Sequence, residues 1–458
     1  MSGAILAACL VPAAWQGGAL AVTNAPPPGW MTQPLSLAGC LDLALQRNSA
    51  VLKARSDLEA SEGIVIQTRV VAIPKLRASG SYTHTGREAV DEFPFAGGLP
   101  GLEAFRQPNE NWDAGIRIVQ SVYEGGRLSS ALRTARLTRE QSLLRYQTVI
   151  SDTLLEVRLA YYRVLLTGQQ IGVREASVHL LTREVEDQRH RYDAGTVPQF
   201  NVLRAEVELA NARPELIRVR NFHRIAKNNL ANLLGCDLPK DAGKDLPLQL
   251  SGTLETEPRT VDLAASIAQA LERRPELAAL RKAGQLRREG IVNARGGYKP
   301  GVEIFAGYGW RNSQFTDDLT RDVHGWNAGA QLTWDLFDGG LTRGKVTEAR
   351  ALHAKSEEEV TDATRRVELE VRTAYSNLIE AREVLESQKK VQEAAEEALR
   401  LARARTEAGT GTQLDVLGAQ TALTEARTTQ VLALHDYASA RARFERAIGD
   451  DALQPATK

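Results

Sequence analysis

Two hydrophobic periods take turns along this chain, and each does so twice. Apolar positions with helical spacing predict a short helix from about Leu37 to Arg47 and a second from about Ser49 to Val71. Pro74 ends the second, because a proline forces its predecessor out of helical geometry. From Lys75 the period becomes two: Leu76, Ala78, Gly80 and Tyr82 alternate with Lys75, Arg77, Ser79 and Ser81. A polar loop rich in Gly and Pro follows, from about His84 to Glu110, and then Trp112, Ala114, Ile116 and Ile118 share one face of a second strand. The alternation returns with Val302, Ile304, Ala306, Tyr308 and Trp310 on one face, and again with Trp326, Ala328, Ala330, Leu332 and Trp334. Two hairpins are predicted, at 75–122 and 300–336.

Each hairpin runs into a long helical pattern. Proline is absent from Gln120 to Val197 and from Gly301 to Gly411. An arm of about 70 residues extends roughly 100 Å at about 1.5 Å per residue. Val367, Val371, Ala374, Leu378, Ala381 and Leu385 follow a 4-3 spacing, the mark of coiled-coil packing. Return helices are expected from about Pro198 to Leu234 and from Thr412 to Ile448, so the helical hairpins occupy 125–235 and 339–449. The reversals are the stretches RYDAGTVPQFNVLRAE, from Arg191, and RTEAGTGTQLDVLGAQ, from Arg405. Gly195 and Gly409 stand where the chain needs a left-handed residue.

These stretches are copies. The offset 409 minus 195 is 214, and it also superimposes YEGGRL (from Tyr123) on FDGGLT (from Phe337) and Trp112 on Trp326. Nearer each copy's N-terminal side the offset is 226, matching ALQRN (from Ala44) with ALERR (from Ala270) and Tyr82 with Tyr308. The second copy is therefore 226 minus 214, or 12 residues, shorter between Tyr308 and Trp326, which marks a surface loop. The chain divides into a first repeat at 37–235, an irregular connector at 236–261, a second repeat at 262–449 and a polar tail at 450–458.

The alternating faces would suit a half-buried soluble sheet. Against that, four of the six Trp lie on these faces near strand ends, where interfacial aromatic girdles belong. Tyr82, Trp112, Tyr308, Trp310, Trp326 and Trp334 are the candidate membrane-interface residues. Four strands cannot close a barrel, and an open edge in lipid leaves backbone groups unsatisfied, so several chains must share one; three would give twelve strands. No run of about 18 apolar residues provides a transmembrane helix.

Composition removes other classes. With 57 basic and 57 acidic residues there is no electrostatic case for nucleic acid. Cys9, Cys40 and Cys236 form no metal-ligand pattern, and Cys40 and Cys236 read as small buried thiols. The seven His show no ligand spacing, and His84 and His324 beside the outer loops read as solvent-exposed. YEGGRL and FDGGLT lack the Gly-Lys-Ser/Thr of a phosphate loop and read as strand-to-helix hinges. No metal, cofactor or catalytic constellation is expected. Residues Gly3 to Val22 are apolar or small, an export signal (1–21) ending in Ala19-Leu20-Ala21, ahead of a Pro-rich lead (22–36). LAAC at Leu6 to Cys9 also fits a lipoprotein box, which would lipidate Cys9.

The ordered combination of two copies, two hairpins, and the turns AGTVPQFNV and AGTGTQLDV resembles the outer-membrane efflux protein family, the trimeric exit ducts of tripartite efflux pumps and type I secretion systems. The resemblance covers essentially everything after the signal. It implies a mainly helical chain with a membrane β-barrel: four strands per protomer in a shared twelve-stranded trimeric barrel in the outer membrane, continuing into a periplasmic α-barrel of long coiled-coil helices. It implies a homotrimer set in outer-membrane lipid, working with a periplasmic adaptor (membrane fusion protein) and an inner-membrane transporter of RND, ABC or MFS type. Gly195, Thr196, Val197, Gly409, Thr410 and Gly411 would be adaptor-docking turns, although the glycines also simply turn the chain. The family's gate acids follow the second turn; the matching positions are Asp415 and Gly418, with Asn201 on the first copy. Gly418 stands where a second acid is expected, leaving one acidic ring. Asp415 equally suits a capping box begun by Thr412. Lumen-facing Lys75, Arg77, Arg117, Glu303 and Asp335 are of mixed sign and select no substrate. A soluble periplasmic coiled-coil scaffold without channel activity is the competing expectation.

Overall fold

The computed structural model describes residues 34–86, 88, 92–93, 105–106, 109–237, 245–254, 261–312 and 319–450. The expected export signal, Cys9, most of the N-terminal lead and nearly all of the tail lie outside the described residues.

Two short helices open each repeat: α1 (Leu37–Arg47) and α2 (Ser49–Arg69) in the first, α5 (Leu263–Arg273) and α6 (Pro275–Arg295) in the second. Three residues of 3-10 turn lead out of α2 and α6 into extended chain. Strand β1 (Lys75–His84) follows in the first repeat, with a two-residue ladder of β2 (Glu92–Phe93) and β3 (Phe105–Arg106) inside the expected polar loop. Then β4 (Glu110–Glu124) descends; β5 (Gly301–Asn312) and β6 (Asp322–Thr333) are the second-repeat counterparts. The four long strands form one antiparallel sheet in the order β1-β4-β5-β6, so β1 and β6 are its free edges.

Below the sheet, α3 (Arg127–Asp193) and α7 (Leu341–Glu407) each run 67 residues, about 100 Å at ~1.5 Å per residue. They return as α4 (Gln199–Leu233) and α8 (Gln413–Ala447), 35 residues each. Pro214 is accommodated inside α4. Each strand-to-helix hinge is a Gly pair with both φ angles positive: 64° and 98° at Gly125 and Gly126, 66° and 90° at Gly339 and Gly340. Only glycine adopts that double left-handed step cheaply.

Two hydrophobic cores sit at mid-height. One gathers Leu154, Val157, Tyr161 and Val164 of α3 with Cys40, Leu41, Leu230 and Leu234, and takes in Leu246 and Leu248. The region read as an irregular connector is therefore partly core, and Leu35 bridges Leu250 in parallel. The other core contains Val367, Val371 and Leu378 with Ala374, Ala381 and Leu385 against Tyr437 and Phe444, so the 4-3 positions meet in one seam. Cys40 is fully buried and its thiol is pushed up to about 12 by burial. Cys236 is only half-buried.

Candidate functional site

The sheet has one apolar face. Register places Tyr82 beside Trp112, Ala78 beside Ile116, Ile116 beside Tyr308, and Tyr308 beside Trp326. Alternation therefore puts Leu76, Ile118, Ile304, Ala306 and Ala328 on the same side as these aromatics. Many of them are open to the exterior: Trp326 is 80% exposed, Leu76 69% and Tyr82 62%. A soluble sheet would bury this face against a second layer, and no described element covers it.

Aromatics mark both ends of the face. Tyr82, Trp112, Tyr308, Trp310 and Trp326 cluster in the outer rows, with Tyr308 and Trp310 edge to face. Trp112 is half-buried, and its indole N–H donates to the Leu319 carbonyl at 3.2 Å. Trp334 lies just past β6 at the other end, where its indole N–H donates to the Tyr298 carbonyl at 3.2 Å. Exposed Tyr298, Tyr123, Leu336 and Phe337 surround that level of the chain. The 12 residues of β6 cover ~40 Å at roughly 3.3 Å each, and a tilt of about 40° reduces their height to ~30 Å, the thickness of a bilayer's hydrocarbon core.

Strict alternation would turn Tyr123 to the polar side. A bulge between Ser121 and Tyr123 inserts Val122 and sets Tyr123 opposite Val302 on the apolar side. Tyr123, Tyr298 and Phe337 were not among the predicted interface residues. The signal for Tyr123 and Phe337 was an aromatic at the strand–helix hinge of each copy, in YEGG and FDGG, while Tyr298 lies in GGYKP just before β5.

The far tips are near copies of one another. Gly195 has φ 74° and donates to the Tyr192 carbonyl at 2.8 Å, while Thr196 donates to Arg191 at 2.9 Å. Gly409 has φ 73° and donates to Thr406 at 3.1 Å, while Thr410 donates to Arg405 at 2.9 Å. These paired bonds satisfy the last carbonyls of each long helix. Thr196 and Thr410 are exposed beyond the helix ends, with Val197 and Gly411 half-buried behind them.

The helix starts differ. Pro198 precedes α4 without a side-chain cap. Thr412 and Asp415 form a complete capping box on α8: the Thr412 amide and hydroxyl donate to Asp415 Oδ2 at 2.9 Å each, and the Asp415 amide donates to Thr412 Oγ1 at 3.3 Å. The Thr412 backbone N–H, then its hydroxyl, hold the Asp415 carboxyl below the usual carboxylate range. Asp415 is exposed, and Gly418 is exposed one turn later. Asn201 is half-buried, and among the described residues no hydrogen bond or ion pair joins it to Asp415. His84 and His324 are exposed, beside Glu110 and Asp322 respectively.

The arrangement can line a conduit and grip a membrane. The sequence profile described as "Outer membrane efflux protein" matches residues 40–236 and 266–450. Outer membrane protein TolC of Escherichia coli (strain K12) is 22% identical over 434 residues, covering 92% of this chain and 83% of TolC. The solved outer-membrane channel OprN superposes with a TM-score of 0.75 at 19% identity, covering 91% of each chain. The outer membrane protein VceC of Vibrio cholerae superposes at 0.73 with 18% identity, over 90% of this chain and 96% of VceC.

Proposed function

The chain belongs to the outer membrane efflux protein family, and from that premise we propose how its parts make a duct. It is an outer-membrane channel of efflux and type I secretion systems. The observation that carries the assembly is the uncovered apolar face of a sheet with two free edges. Lipid cannot satisfy the backbone groups of β1 and β6, so β6 of one protomer pairs with β1 of the next, and three protomers close a twelve-stranded ring. Exposed apolar stripes support the same neighbour packing below: Phe200, Leu203 and Val207 on α4, and Leu369, Val384 and Val391 on α7. A soluble periplasmic scaffold would not expose Trp326, Leu76 and Tyr82 together.

In this reading Tyr82, Trp112, Tyr308, Trp310, Trp326 and Trp334 sit at the membrane interfaces. The turns at Gly195, Thr196 and Val197 and at Gly409, Thr410 and Gly411 dock a periplasmic adaptor, which connects the duct to an inner-membrane transporter of RND, ABC or MFS type. The duct is passive, with no cofactor and no chemical step. Three Asp415 carboxylates form an acidic ring at the tip, with Gly418 and Asn201 beside it, and attract cations while repelling anions.

Purified protein is expected to need detergent and to run as a trimer; a monomer dispersed in plain buffer would overturn the reading. Asp415→Ala is expected to raise the resting conductance in planar bilayers, and an unchanged closed-state current would remove Asp415 from the gate. Crosslinking from the tip turns is expected to capture an adaptor.

A further inference from the structure

The polar face of the sheet holds charges of two kinds. Asp113 stands opposite Arg311 on β5 and accepts a hydrogen bond from Ser81 on β1. Arg77 and Arg117 have no such partner. They are directly opposite one another in the β1–β4 ladder, and among the described residues neither forms an ion pair. Like charges directly across a strand pair destabilise a sheet, so this placement is held at a cost to folding. Lys75, two residues from Arg77 on the same face, adds a third positive charge.

An aromatic ring completes the group. Phe305 occupies a polar-face position of β5, diagonal to Arg117, whose guanidinium carbon lies 4.0 Å from the ring centroid. The ring lies against the wall at Gly329, where an added Cβ would come within 2.9 Å of it. Directly opposite Arg117 on β5 is Gly307, which has no side chain to screen the guanidinium. Both Arg77 and Arg117 are exposed.

We propose that Arg77, Arg117 and Phe305 form a station in the barrel lumen for organic anions that carry an aromatic ring. A carboxylate or sulfonate bridges the two guanidinium groups, which satisfies the unpaired charges, and the ring of the anion stacks on the Arg117–Phe305 pair. The station rests on the duct reading, because it needs the polar face to line a water-filled lumen shared by three protomers. It gives the barrel a preference opposite to that of the acidic tip, so anions that pass the tip are held next at the wall.

The test is single-channel recording of the full-length protein in planar bilayers, with 1-naphthoate or acetate added on the barrel side. Naphthoate is expected to block the current and acetate to block it weakly. Arg117→Ala should weaken naphthoate block roughly tenfold, and Phe305→Leu should weaken it while leaving acetate unaffected. Arg117→Lys keeps the charge without the flat stacking surface, so it should retain weak acetate block and lose most of the naphthoate advantage. Trimer assembly in detergent is checked for each variant by size-exclusion chromatography. Equal block by the two anions, or naphthoate block unchanged in Arg117→Ala and Arg117→Lys, overturns the station and leaves the duct standing. A wild-type protein that runs as a monomer dispersed in plain buffer overturns the duct reading itself.

Discussion

The joint that closes each repeat is built twice on one backbone plan with different chemistry. In the first repeat Asn48 separates α1 from α2, accepts from the Ala50 amide at 2.8 Å and donates to the Leu233 carbonyl at 2.7 Å. The position 226 residues later is Arg274, which donates to Glu276 and to Glu370, each at 2.7 Å. Beside it, where the first repeat has Asn232, the second has Arg446, which reaches Asp152 at 2.7 Å and Glu276 at 3.3 Å. One neutral amide satisfies its neighbours locally, whereas two buried guanidinium groups need carboxylates from several helices. Asp152 belongs to α3, so the ionic joint fastens the second repeat to the first, which the neutral joint does not do. The second repeat thus carries ions where the first has amides, and those ions reach across to the first repeat.

Arg446→Ala attacks that fastening most directly, because it leaves Asp152 without the cation from the second repeat and Glu276 with Arg274 alone. A loss of about 2 kcal/mol is expected from denaturant unfolding in detergent, below the fully buried case because the Asp152 side chain is 57% exposed; a loss under ~1 kcal/mol would mean that solvent already screens the pair. The glycines that end the return helices sharpen the contrast. Gly235 and Gly449 have φ of 70° and 68°, but an added Cβ meets the Arg47 carbonyl oxygen at 2.3 Å in one case and Arg273 Cβ at 3.2 Å in the other. Gly235→Ala should cost roughly 2–3 kcal/mol and Gly449→Ala about 1 kcal/mol, since both pay for the left-handed backbone and only the first must move a main chain. Equal losses would mean that the neutral joint is no tighter than the ionic one. Asn48→Ala should cost ~1–2 kcal/mol through the lost cap and the orphaned Leu233 carbonyl.

The smallest effect concerns a second contact between the repeats and appears with pH. Glu289 of α6 receives Arg133 of α3 at 2.8 and 2.9 Å and Ser130 at 2.8 Å, and the Arg133 hydrogen bond holds its carboxyl below the ordinary value of 4.5. A depressed folded value means that the contact stabilises fully above the unfolded value and is lost as pH falls through the folded one. Thermal stability should hold from pH 7 down to about 5 and decline below the ordinary glutamate range. Glu289→Gln should shallow that decline, and an identical decline in the variant would remove the pair from the account.

Much of this was legible along the chain because it is local. A period of two or of 3.5, a Gly at a helix end, a Pro after one and a repeat at offset 214 each report what a few neighbouring residues require of the backbone, and the strands, the 67-residue helices and both tips follow. Asp415 as a cap was readable too, since Thr412 and Asp415 lie within one turn. Other features depend on residues far apart in sequence and were decided by packing. The bulge that turns Tyr123 outward comes from pairing with β5, and the part of the connector that joins the core does so through Leu246 and Leu248 meeting α1 and α3. The encounters of Arg446 with Asp152 and of Arg117 with Phe305 cross 294 and 188 positions (446 minus 152, 305 minus 117). Periodicity states which face a side chain takes, but only the assembled strands and helices bring it to a partner, because registry between distant segments is set by the summed burial of both.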